Sequence, residues 1–318
     1  MEHPAAFVLA AGLGTRLRPL TELLPKPLVP IFHKPLLTFA FDSLMAAGVG
    51  PLALNTHHLP EAFHKTFGIN PVYRGHSLQL FHEPLLLDTG GGIRNARDAL
   101  GSSAFFLYNG DILTDFPLDD LLVRHRASGA LATLLLREEG GVANVRFDAA
   151  SGRILDFRGA LGVEEGVSTV YSGIAVFEPN IFDWIPDGPY SIIDAILGAM
   201  RAGEKIGGML VNQGLWIDIG TPEAYLQAHR WIASPANRPS CMTDAAWPEP
   251  IHHEARIHPT AILEGLVVAG PGVSIAQGAR VRDSILWPGA SIGPDSSMEE
   301  CIVSGTMSVS GHHRGKVL

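Results

Sequence analysis

Residues 7–30 restrict the fold of this chain more than any other part of the sequence. They begin with Phe7–Leu9, a short and wholly apolar run that is typical of a buried strand. The next residues, Ala10–Arg16, form a segment of mostly small residues whose backbone N–H groups can surround an anion. Small side chains let such a backbone approach a polyphosphate closely. The sequence therefore predicts a strand that runs into a phosphate-binding loop.

Two cationic residues next to this loop suit a phosphorus centre. The Arg16 guanidinium is planar and permanently charged, so it can stabilise the charge that develops on a phosphoryl group. Lys26 stands between Pro25 and Pro27, which restrict the backbone and hold the lysine in one place. A fixed point charge of this kind is what phosphate binding requires.

Two other phosphate-binding motifs do not fit these residues. A dinucleotide-binding loop needs a third glycine near position 17 and an acidic residue after the second strand, but Leu17 and Asn55–His57 stand there. A P-loop needs Gly-Lys-Ser/Thr, whereas the chain has Gly14-Thr15-Arg16. An NAD-dependent oxidoreductase is therefore disfavoured.

Composition excludes several classes of protein. Hydrophobic residues make up 46% of the 318 residues and charged residues 17%, as in an ordinary globular protein. The formal net charge of −9 argues against a general nucleic-acid binder, which needs a basic face. Cys241 and Cys301 suggest neither a disulfide framework nor a zinc site, and we expect two free thiols in a reducing cytoplasm. No apolar run is long enough to span a membrane, so we predict a soluble, cytoplasmic protein.

The order of predicted elements indicates an α/β fold. A helix over Pro35–Gly48 follows the first loop, and apolar strands and helices then alternate up to a last helix that ends near Ile232. Asp88–Ile93 reads as a second glycine-rich turn, which opens a helix that starts near Ile93. We predict a Rossmann-like mixed, mostly parallel sheet flanked by helices over residues 1–232. Two glycine-rich turns at the carboxyl ends of strands predict a ligand crevice there.

Two carboxylates follow strands in the same predicted sheet. Asp111 closes the Asn109-Gly110-Asp111 segment, and Asp218 lies in a Trp-Ile-Asp-Ile-Gly-Thr segment. Carboxylates at strand ends beside glycine suit a hard cation such as Mg²⁺, which keeps several waters and needs few protein ligands. Both could instead be structural residues of turns.

The C-terminal part of the sequence has a different pattern. Residues 233–250 are rich in proline without periodicity and read as a linker. Over residues 251–318, apolar residues recur about every six positions with Gly and Pro near the corners, the hexapeptide period of a parallel β-helix of roughly three coils. The apolar positions of this repeat are Ile257, Ile262, Val268, Ile275, Val281, Leu286, Ile292 and Met298. A short solenoid usually needs a cap or a partner, so we expect these coils to pack on the preceding domain or to mediate self-association into a homo-oligomer.

The segment LAAGLGTRLRPLT, followed by PKPLVPI, resembles the signature of the sugar-1-phosphate nucleotidyltransferases. The resemblance extends over nearly the whole chain, because many of these enzymes also carry a left-handed β-helix at the C-terminus. It implies attack by the anionic oxygen of a sugar 1-phosphate on the α-phosphorus of an NTP, which releases pyrophosphate. No protein nucleophile or general base is needed, since catalysis then consists of alignment and charge neutralisation.

The resemblance also implies roles for particular residues. Arg16, Lys26 and Asp111 are expected to be catalytic, and Asp111 and Asp218 are expected to be the Mg²⁺ ligands. The sugar is expected at Asn109, Ser172 and Gly173. The nucleotide is expected to contact Leu9, Ala11, Gly12, Gly14, Thr15, Thr89 and Gly90.

The substrates are less well specified by the resemblance. The DTGGGI segment is similar to N-acetylmuramate-1-phosphate uridylyltransferases, whereas the β-helix is similar to mannose-1-phosphate guanylyltransferases. UTP or GTP is thus the expected nucleotide, and the pattern favours UTP. Asp156–Gly159 stands where many relatives have a Glu-Lys-Pro that holds the sugar, which weakens any transfer of glucose specificity. A non-catalytic regulatory subunit is an alternative, but such chains typically lose the cationic and metal-binding residues kept here.

Overall fold

The computed structural model describes residues 3–234, 237, 247–305 and 308–318. Cys241 and most of the predicted linker at residues 233–250 lie outside the described residues. The chain divides into two compact units. Unit 1 comprises residues 1–12 and 39–217, and unit 2 comprises residues 13–38 and 218–318. The division into a nucleotidyltransferase domain over residues 1–232, a linker at 233–250 and a β-helix over 251–318 stays a prediction.

Helices and strands alternate up to residue 233, after which the described elements are short strands. The α-helices are α1 (Leu20–Leu23), α2 (Leu37–Ala46), α3 (Pro60–Phe67), α4 (Asp88–Asn95), α5 (Arg97–Leu100), α6 (Leu118–Ser128), α7 (Ile192–Arg201) and α8 (Pro222–Ala233). The strands up to the end of α8 are β1 (Ala6–Leu9), β2 (Pro30–Ile31), β3 (Lys34–Pro35), β4 (Leu52–Thr56), β5 (Val72–Tyr73), β6 (His76–His82), β7 (Phe105–Asn109), β8 (Ile112–Thr114), β9 (Ala132–Arg137), β10 (Val145–Asp148), β11 (Arg153–Phe157), β12 (Val167–Phe177), β13 (Ile206–Leu210) and β14 (Trp216–Asp218). The later strands are β15 (Arg256–Ile257), β16 (Ile262–Glu264), β17 (Val268–Ala269), β18 (Ser274–Ile275), β19 (Arg280–Arg282), β20 (Ile285–Leu286), β21 (Ser291–Ile292), β22 (Ser297–Glu299), β23 (Ile302–Val303), β24 (Ser308–Val309) and β25 (His312–Arg314). Single-turn 3₁₀ helices cover Thr15–Leu17 and Lys26–Leu28, and a longer one covers Pro179–Trp184.

Unit 1 is built on one mixed sheet with the strand order β10-β11-β13-β9-β12-β7-β1-β4-β6-β5. Parallel ladders join β7, β1, β4 and β6, and a further parallel ladder joins β9 to β13. The long strand β12 runs antiparallel to both β7 and β9. The predicted Rossmann-like mixed α/β sheet is confirmed, and β1 lies among its parallel strands.

The core of unit 1 lies between this sheet and its helices. Central strands such as β1 and β7 are buried on both faces, which is why they read as continuous apolar runs. Helix α7 buries the apolar side chains of its sequence IIDAILGAMR against this core. The Ser191 hydroxyl caps the helix by accepting a hydrogen bond from the Ile193 N–H. The sheet thus holds the carboxyl ends of β1 and β7 in fixed positions.

The C-terminal part of unit 2 is a stack of three parallel sheets. Their strand orders are β15-β18-β21-β24, β16-β19-β22-β25 and β17-β20-β23. Residues in equivalent positions of successive coils lie 17 or 18 apart as far as β24, as in the bond from the Ser274 hydroxyl to that of Ser291 and that from Gly278 N–H to Thr260. This step equals three faces of about six residues each. The step from β22 to β25 is 15 residues. The predicted left-handed parallel β-helix is confirmed.

One apolar position of the predicted repeat is corrected. Ile262 is 39% exposed, while its neighbour Leu263 is in register with Val281 and Met298, which are buried inside the coils. Successive side chains of a strand point to opposite faces, so a one-residue error exchanges inside for outside. The interior is closed by the apolar side chains of the three faces, Cys301 among them.

Helix α8 belongs to the same unit as the β-helix. Thr221 caps its first turn, and Pro222 follows at the position where a missing N–H is tolerated. The Trp287 indole donates a 3.0 Å hydrogen bond to the buried Tyr225 hydroxyl, and Arg230 pairs with Glu300 at 2.9 Å. These contacts fasten α8 to the coils. No helix in the described residues has the length and apolar character needed to cross a membrane.

Candidate active site

Three predicted site residues in unit 2 lie in contact: Arg16, Lys26 and Asp218. The Lys26 Nζ lies 3.4 Å from Asp218 Oδ1, and an Arg16 guanidinium nitrogen lies 3.6 Å from Oδ2. The Lys26 side chain is 9% exposed, whereas that of Arg16 is 67% exposed. We call these three residues the Asp218 cluster. It keeps a net positive charge, as a phosphate-binding site requires. Sequence reasoning missed the pairing, because Asp218 lies 192 residues from Lys26.

Gly14 shapes the turn that brings Arg16 and Lys26 into this cluster. Its φ of 61° is left-handed, and its carbonyl accepts a 3.0 Å hydrogen bond from the Thr21 hydroxyl. A Cβ at this position would lie 2.8 Å from a Thr21 carbon and 2.9 Å from the Lys26 Cβ. Both the dihedral angle and the close approach therefore require glycine. The 3₁₀ turn that carries Thr15 and Arg16 begins directly after it.

The rest of the Asp218 cluster is held by backbone. Lys26 begins a 3₁₀ turn directly after Pro25, as expected from its flanking prolines. The Arg16 guanidinium lies on the backbone of Gly220, where a Cβ would be 2.9 Å from one of its nitrogens. The ion pair of Arg16 with Asp218 is largely exposed, so it contributes only about 0–1 kcal/mol to stability. The main effect of these contacts is to fix the positions of the two cations.

In unit 1, the start of the phosphate loop is held by a chain of buried hydrogen bonds. The Ala10 N–H donates to Asn55 Oδ1 at 2.7 Å, and Asn55 Nδ2 donates to Glu83 Oε1 at 2.8 Å. Glu83 has no exposed surface, and its second oxygen accepts the Leu87 N–H at 3.0 Å. Sequence reasoning missed both Asn55 and Glu83. The only signal was an acidic residue directly after β6 and before Pro84.

The remaining unit 1 residues of the loop differ in exposure. Leu9 ends β1, and its carbonyl accepts the Gly110 N–H at 2.9 Å, so the loop starts beside the Asn109–Asp111 segment. Ala11 is buried, whereas Gly12 is exposed, and a Cβ built on it would lie more than 4 Å from every described residue apart from its two chain neighbours. The packing of the described residues therefore does not require glycine at position 12. The space beside it is therefore open to a ligand.

The second glycine-rich segment is not a turn, which corrects the prediction. Helix α4 starts at Asp88 rather than near Ile93, so all three glycines lie inside it. A Cβ on Gly90 would lie 2.8 Å from the Tyr190 carbonyl oxygen, and one on Gly92 would lie 2.8 Å from Glu83 Oε1. Helical glycine is unfavourable by about 1 kcal/mol relative to alanine. Close packing against neighbouring segments explains why glycine, and no larger residue, occupies these helical positions.

Thr89 and Gly90 contact the segment that leads into α7. The Thr89 hydroxyl accepts the Ile192 N–H at 2.9 Å, and the Gly90 N–H donates to the Tyr190 carbonyl at 2.8 Å. A threonine hydroxyl that accepts one bond can still donate its own hydrogen. The backbone N–H of Gly90 is already used, so nucleotide contact at Gly90 would involve its Cα surface.

The predicted sugar residues Asn109, Ser172 and Gly173 lie on neighbouring strands. A Cβ on Gly173, whose φ is 85°, would lie 2.7 Å from the Asn109 side-chain nitrogen, so the two residues are packed against each other. The ladder of β12 shifts register in this region. The Trp216 indole donates a 2.9 Å hydrogen bond to the Ser172 carbonyl. The buried Ser172 hydroxyl has no hydrogen-bond partner among the described residues.

The two candidate metal ligands belong to different units. Asp111 is half-buried in unit 1, directly before β8, and Asp218 ends β14 and belongs to unit 2. No group of three or more His, Cys, Asp or Glu side chains among the described residues could hold a metal ion. Carboxylate oxygens nevertheless fit Mg²⁺, which is usually bound by one or two carboxylates together with water and substrate phosphates.

Comparison with known proteins identifies the family to which the sequence is similar. The profile of the family described as Nucleotidyl transferase matches residues 5–234. The chain is 29% identical over 337 aligned residues to a UTP--glucose-1-phosphate uridylyltransferase of Synechocystis, covering 94% of this chain and 87% of the relative. It is 32% identical over 295 residues to a mannose-1-phosphate guanylyltransferase of Mycobacterium tuberculosis, covering 90% and 80% of the two chains.

A solved structure agrees on the fold. The structure of a UDP-glucose pyrophosphorylase from Acinetobacter baumanii matches with a TM-score of 0.61 at 18% identity, covering 74% of this chain and 96% of that one. At this identity the likeness shows the fold alone. The family profile spans both the loop that carries Arg16 and the segment that carries Asp218. The expected reaction class is thereby confirmed: the chain belongs to the nucleotidyl transferase family and is an NTP:sugar-1-phosphate nucleotidyltransferase.

Proposed function

We propose that this enzyme transfers a uridylyl group from UTP to N-acetylmuramate 1-phosphate, with Mg²⁺ as cofactor. The Asp218 cluster is the observation that most supports a phosphoryl-transfer site, because a buried lysine and an exposed arginine share one carboxylate. The choice of UTP and N-acetylmuramate 1-phosphate is supported by the DTGGGI segment, which forms the first turns of α4.

The chemistry requires alignment rather than a protein nucleophile. The attacking sugar phosphate is ionised at neutral pH, so no residue has to remove a proton. Repulsion between two polyanions is the main obstacle, and cations placed before the substrate arrives lower it without reorganisation. Arg16 and Lys26 supply these cations. We propose that phosphate oxygens replace Asp218 as partners of Lys26, which frees the Asp218 carboxylate.

Magnesium is proposed with Asp111 and Asp218 as its protein ligands. Bound metal would neutralise phosphate charge and polarise the α-phosphoryl group. The residues of this chain do the remaining work by binding and orienting. Leu9, Ala11 and Gly12 are proposed to contact the nucleotide together with Gly14, Thr15, Thr89 and Gly90. Asn109, Ser172 and Gly173 are proposed to contact the sugar, and the Ser172 hydroxyl, which has no partner in the described part of the chain, supports this role.

Guanylyl transfer to mannose 1-phosphate is the second candidate. Two observations favour it: the Mycobacterium tuberculosis relative is named a mannose-1-phosphate guanylyltransferase, and a β-helix follows α8. Neither observation concerns the residues that would contact the base or the sugar. We therefore keep uridylyl transfer as the first proposal.

Pyrophosphate release with UTP or GTP against N-acetylmuramate, glucose and mannose 1-phosphates, in the presence of Mg²⁺, tests the proposal. We expect the highest kcat/KM for UTP with N-acetylmuramate 1-phosphate. Activity confined to GTP and mannose 1-phosphate would establish the second candidate instead.

The role of Asp111 is tested in the same assay. Asp111→Asn should lower kcat/KM by about 100-fold or more, because a neutral amide holds Mg²⁺ much more weakly than a carboxylate does and the metal is proposed to neutralise the phosphate charge. The exposed Asp119, in the first turn of α6, provides the control, and Asp119→Asn should retain activity. Equal activity of the two variants would remove Asp111 from the proposed site.

A further inference from the structure

The loop after β11 is held in an unusual backbone conformation. Arg158 has a φ of 58°, a left-handed value that residues other than glycine rarely adopt. Its N–H donates a 2.7 Å hydrogen bond to the Asn144 carbonyl. The fully buried Asp156 accepts the N–H groups of Leu161, at 3.1 Å, and Val163, at 3.0 Å. A buried carboxylate therefore fixes the loop, and the strained residue it presents is an arginine.

This loop and strand β10 enclose a cleft of about 560 Å³ in unit 1. Two arginines line it, the half-buried Arg146 on β10 and the exposed Arg158. Among the described residues, neither guanidinium has a carboxylate within ion-pair distance. Asp156 lies opposite Arg146 in the ladder, but its oxygens accept the loop N–H groups. Glu164 also lines the cleft but, within the described chain, forms an ion pair with neither arginine.

The cleft adjoins the residues proposed to contact the sugar. Asn144, which also lines the cleft, accepts the Tyr171 N–H through its side-chain oxygen at 3.5 Å, and Tyr171 directly precedes Ser172. Arg146 lies opposite Ser168 in the ladder, four residues before Ser172 on β12, which is about 13 Å along the strand. The long arginine side chains and a substituent on a sugar at Ser172 and Gly173 would together span this distance.

We infer that Arg146 and Arg158 bind a carboxylate carried by the sugar, and that the preferred substrates are acidic sugar 1-phosphates. This inference rests on the proposed sugar site. Arginine is suited to the role, because its planar fork donates two parallel hydrogen bonds to a carboxylate. The phosphate common to all sugar 1-phosphates is assigned to Arg16 and Lys26. A second pair of cations that has no carboxylate partner among the residues the structure describes therefore calls for a second anion.

The experiment compares the binding of sugar nucleotides that differ in one acidic group. Isothermal titration calorimetry measures Kd for UDP-N-acetylmuramate against UDP-N-acetylglucosamine, and for UDP-glucuronate against UDP-glucose. The first pair differs by a lactyl group and the second by a carboxylate at C6. We expect the acidic member of at least one pair to bind about tenfold more tightly, as for a charge-assisted bidentate contact.

Variants then test whether the two arginines cause the preference for acidic over neutral sugar nucleotides. Arg158→Gln and Arg146→Gln should each reduce it by about tenfold, while Arg158→Lys should retain part of it. Arg153→Gln is the matched control, since Arg153 is exposed on the same hairpin and does not line the cleft. Circular dichroism and Tm confirm that each variant is folded.

The outcomes separate this inference from the proposed function. It is overturned if the unmodified enzyme binds the sugar nucleotides without preferring an acidic one. Binding of none of the four would reject UTP as the nucleotide, and the same comparison of GDP-mannuronate with GDP-mannose would then decide the inference. It is also overturned if the arginine variants weaken all four ligands equally, because the cations would then contact the shared diphosphate. A preserved binding preference without turnover of UTP and N-acetylmuramate 1-phosphate would support the inference and reject the proposed substrates.

Discussion

Lys26 shows how one residue can be prepared for a charged substrate. Its side chain is largely withdrawn from water. Asp218 lies 3.4 Å from its Nζ, and the prolines on both sides restrict the backbone. The lysine is thus positioned before any phosphate binds. Arg16 shares the carboxylate but remains mostly exposed, so it can follow the substrate.

Replacement of this lysine tests its role at the residue scale. Lys26→Gln should lower kcat/KM by about 10²–10³, the usual cost of removing one preorganised donor from a site where charge develops. The control is Lys65→Gln, an exposed lysine on α3. Pyrophosphate release gives the rates, and a loss smaller than threefold would contradict the assignment.

Helix α4 is the element whose packing differs most from its sequence pattern. Three glycines would ordinarily read as a flexible turn, yet they occupy consecutive helical positions. Helix formation there is stabilised by close tertiary contact, because each missing side chain leaves room for a neighbouring segment. Gly91 faces the Gly188 carbonyl, and Gly92 faces the buried pair of Asn55 and Glu83. The helix and the phosphate loop are therefore connected through the same hydrogen-bonded chain.

Two glycine substitutions in helices separate propensity from packing. Gly91→Ala should destabilise unit 1 by about 1–3 kcal/mol, because the added methyl meets backbone that cannot rotate away. Gly198→Ala in α7 should be neutral or stabilising by up to about 1 kcal/mol, since its Cβ would lie 3.6 Å from Trp184, an ordinary contact. Urea unfolding followed by circular dichroism measures both. A stabilising Gly91→Ala would show that the glycine is not required.

At the scale of the whole molecule, buried histidines link stability to pH. His229 is buried in unit 2, where its Nε2 accepts the Phe32 N–H at 3.0 Å. Its Nδ1 therefore carries the hydrogen and donates to the Tyr225 carbonyl at 2.9 Å. Burial lowers the pKa of His229 to about 4. Burial also lowers the pKa of His125 in unit 1 and that of His33 in unit 2.

The sign of the pH effect follows from these shifts. Between the unfolded pKa of 6.5 and the folded value of about 4, the unfolded chain binds more protons. Stability is therefore greatest above pH 6.5 and falls as the pH is lowered through this window. His229 alone should account for about 2 kcal/mol of the free energy of unfolding between pH 7 and pH 5.

Urea titrations at the two pH values measure this loss. His229→Gln should remove much of the dependence, because glutamine can replace both hydrogen bonds without binding a proton. His64→Gln, on the exposed face of α3, should leave the dependence unchanged. An unchanged pH slope in His229→Gln would assign the effect to other groups.

The sequence by itself determined the features that arise from short-range pattern. A strand before a small-residue loop, the prolines around Lys26 and the six-residue period of the coils all act between near neighbours. Apolar periodicity therefore predicted the mixed α/β sheet and the β-helix. The error at Ile262 arose because successive side chains of a strand point to opposite faces, so a shift of one residue exchanges inside and outside.

Only the tertiary structure decided which distant residues meet. The pair of Lys26 and Asp218, the buried bond of Asn55 to Glu83 and the helical state of the α4 glycines depend on contacts between residues far apart in the chain. Such contacts form only when the folded chain brings separate segments together, so the propensities of neighbouring residues do not predict them. The backbone freedom of glycine favours loops over helices. In α4, close packing against neighbouring segments, which leaves no room for a side chain, outweighs this preference.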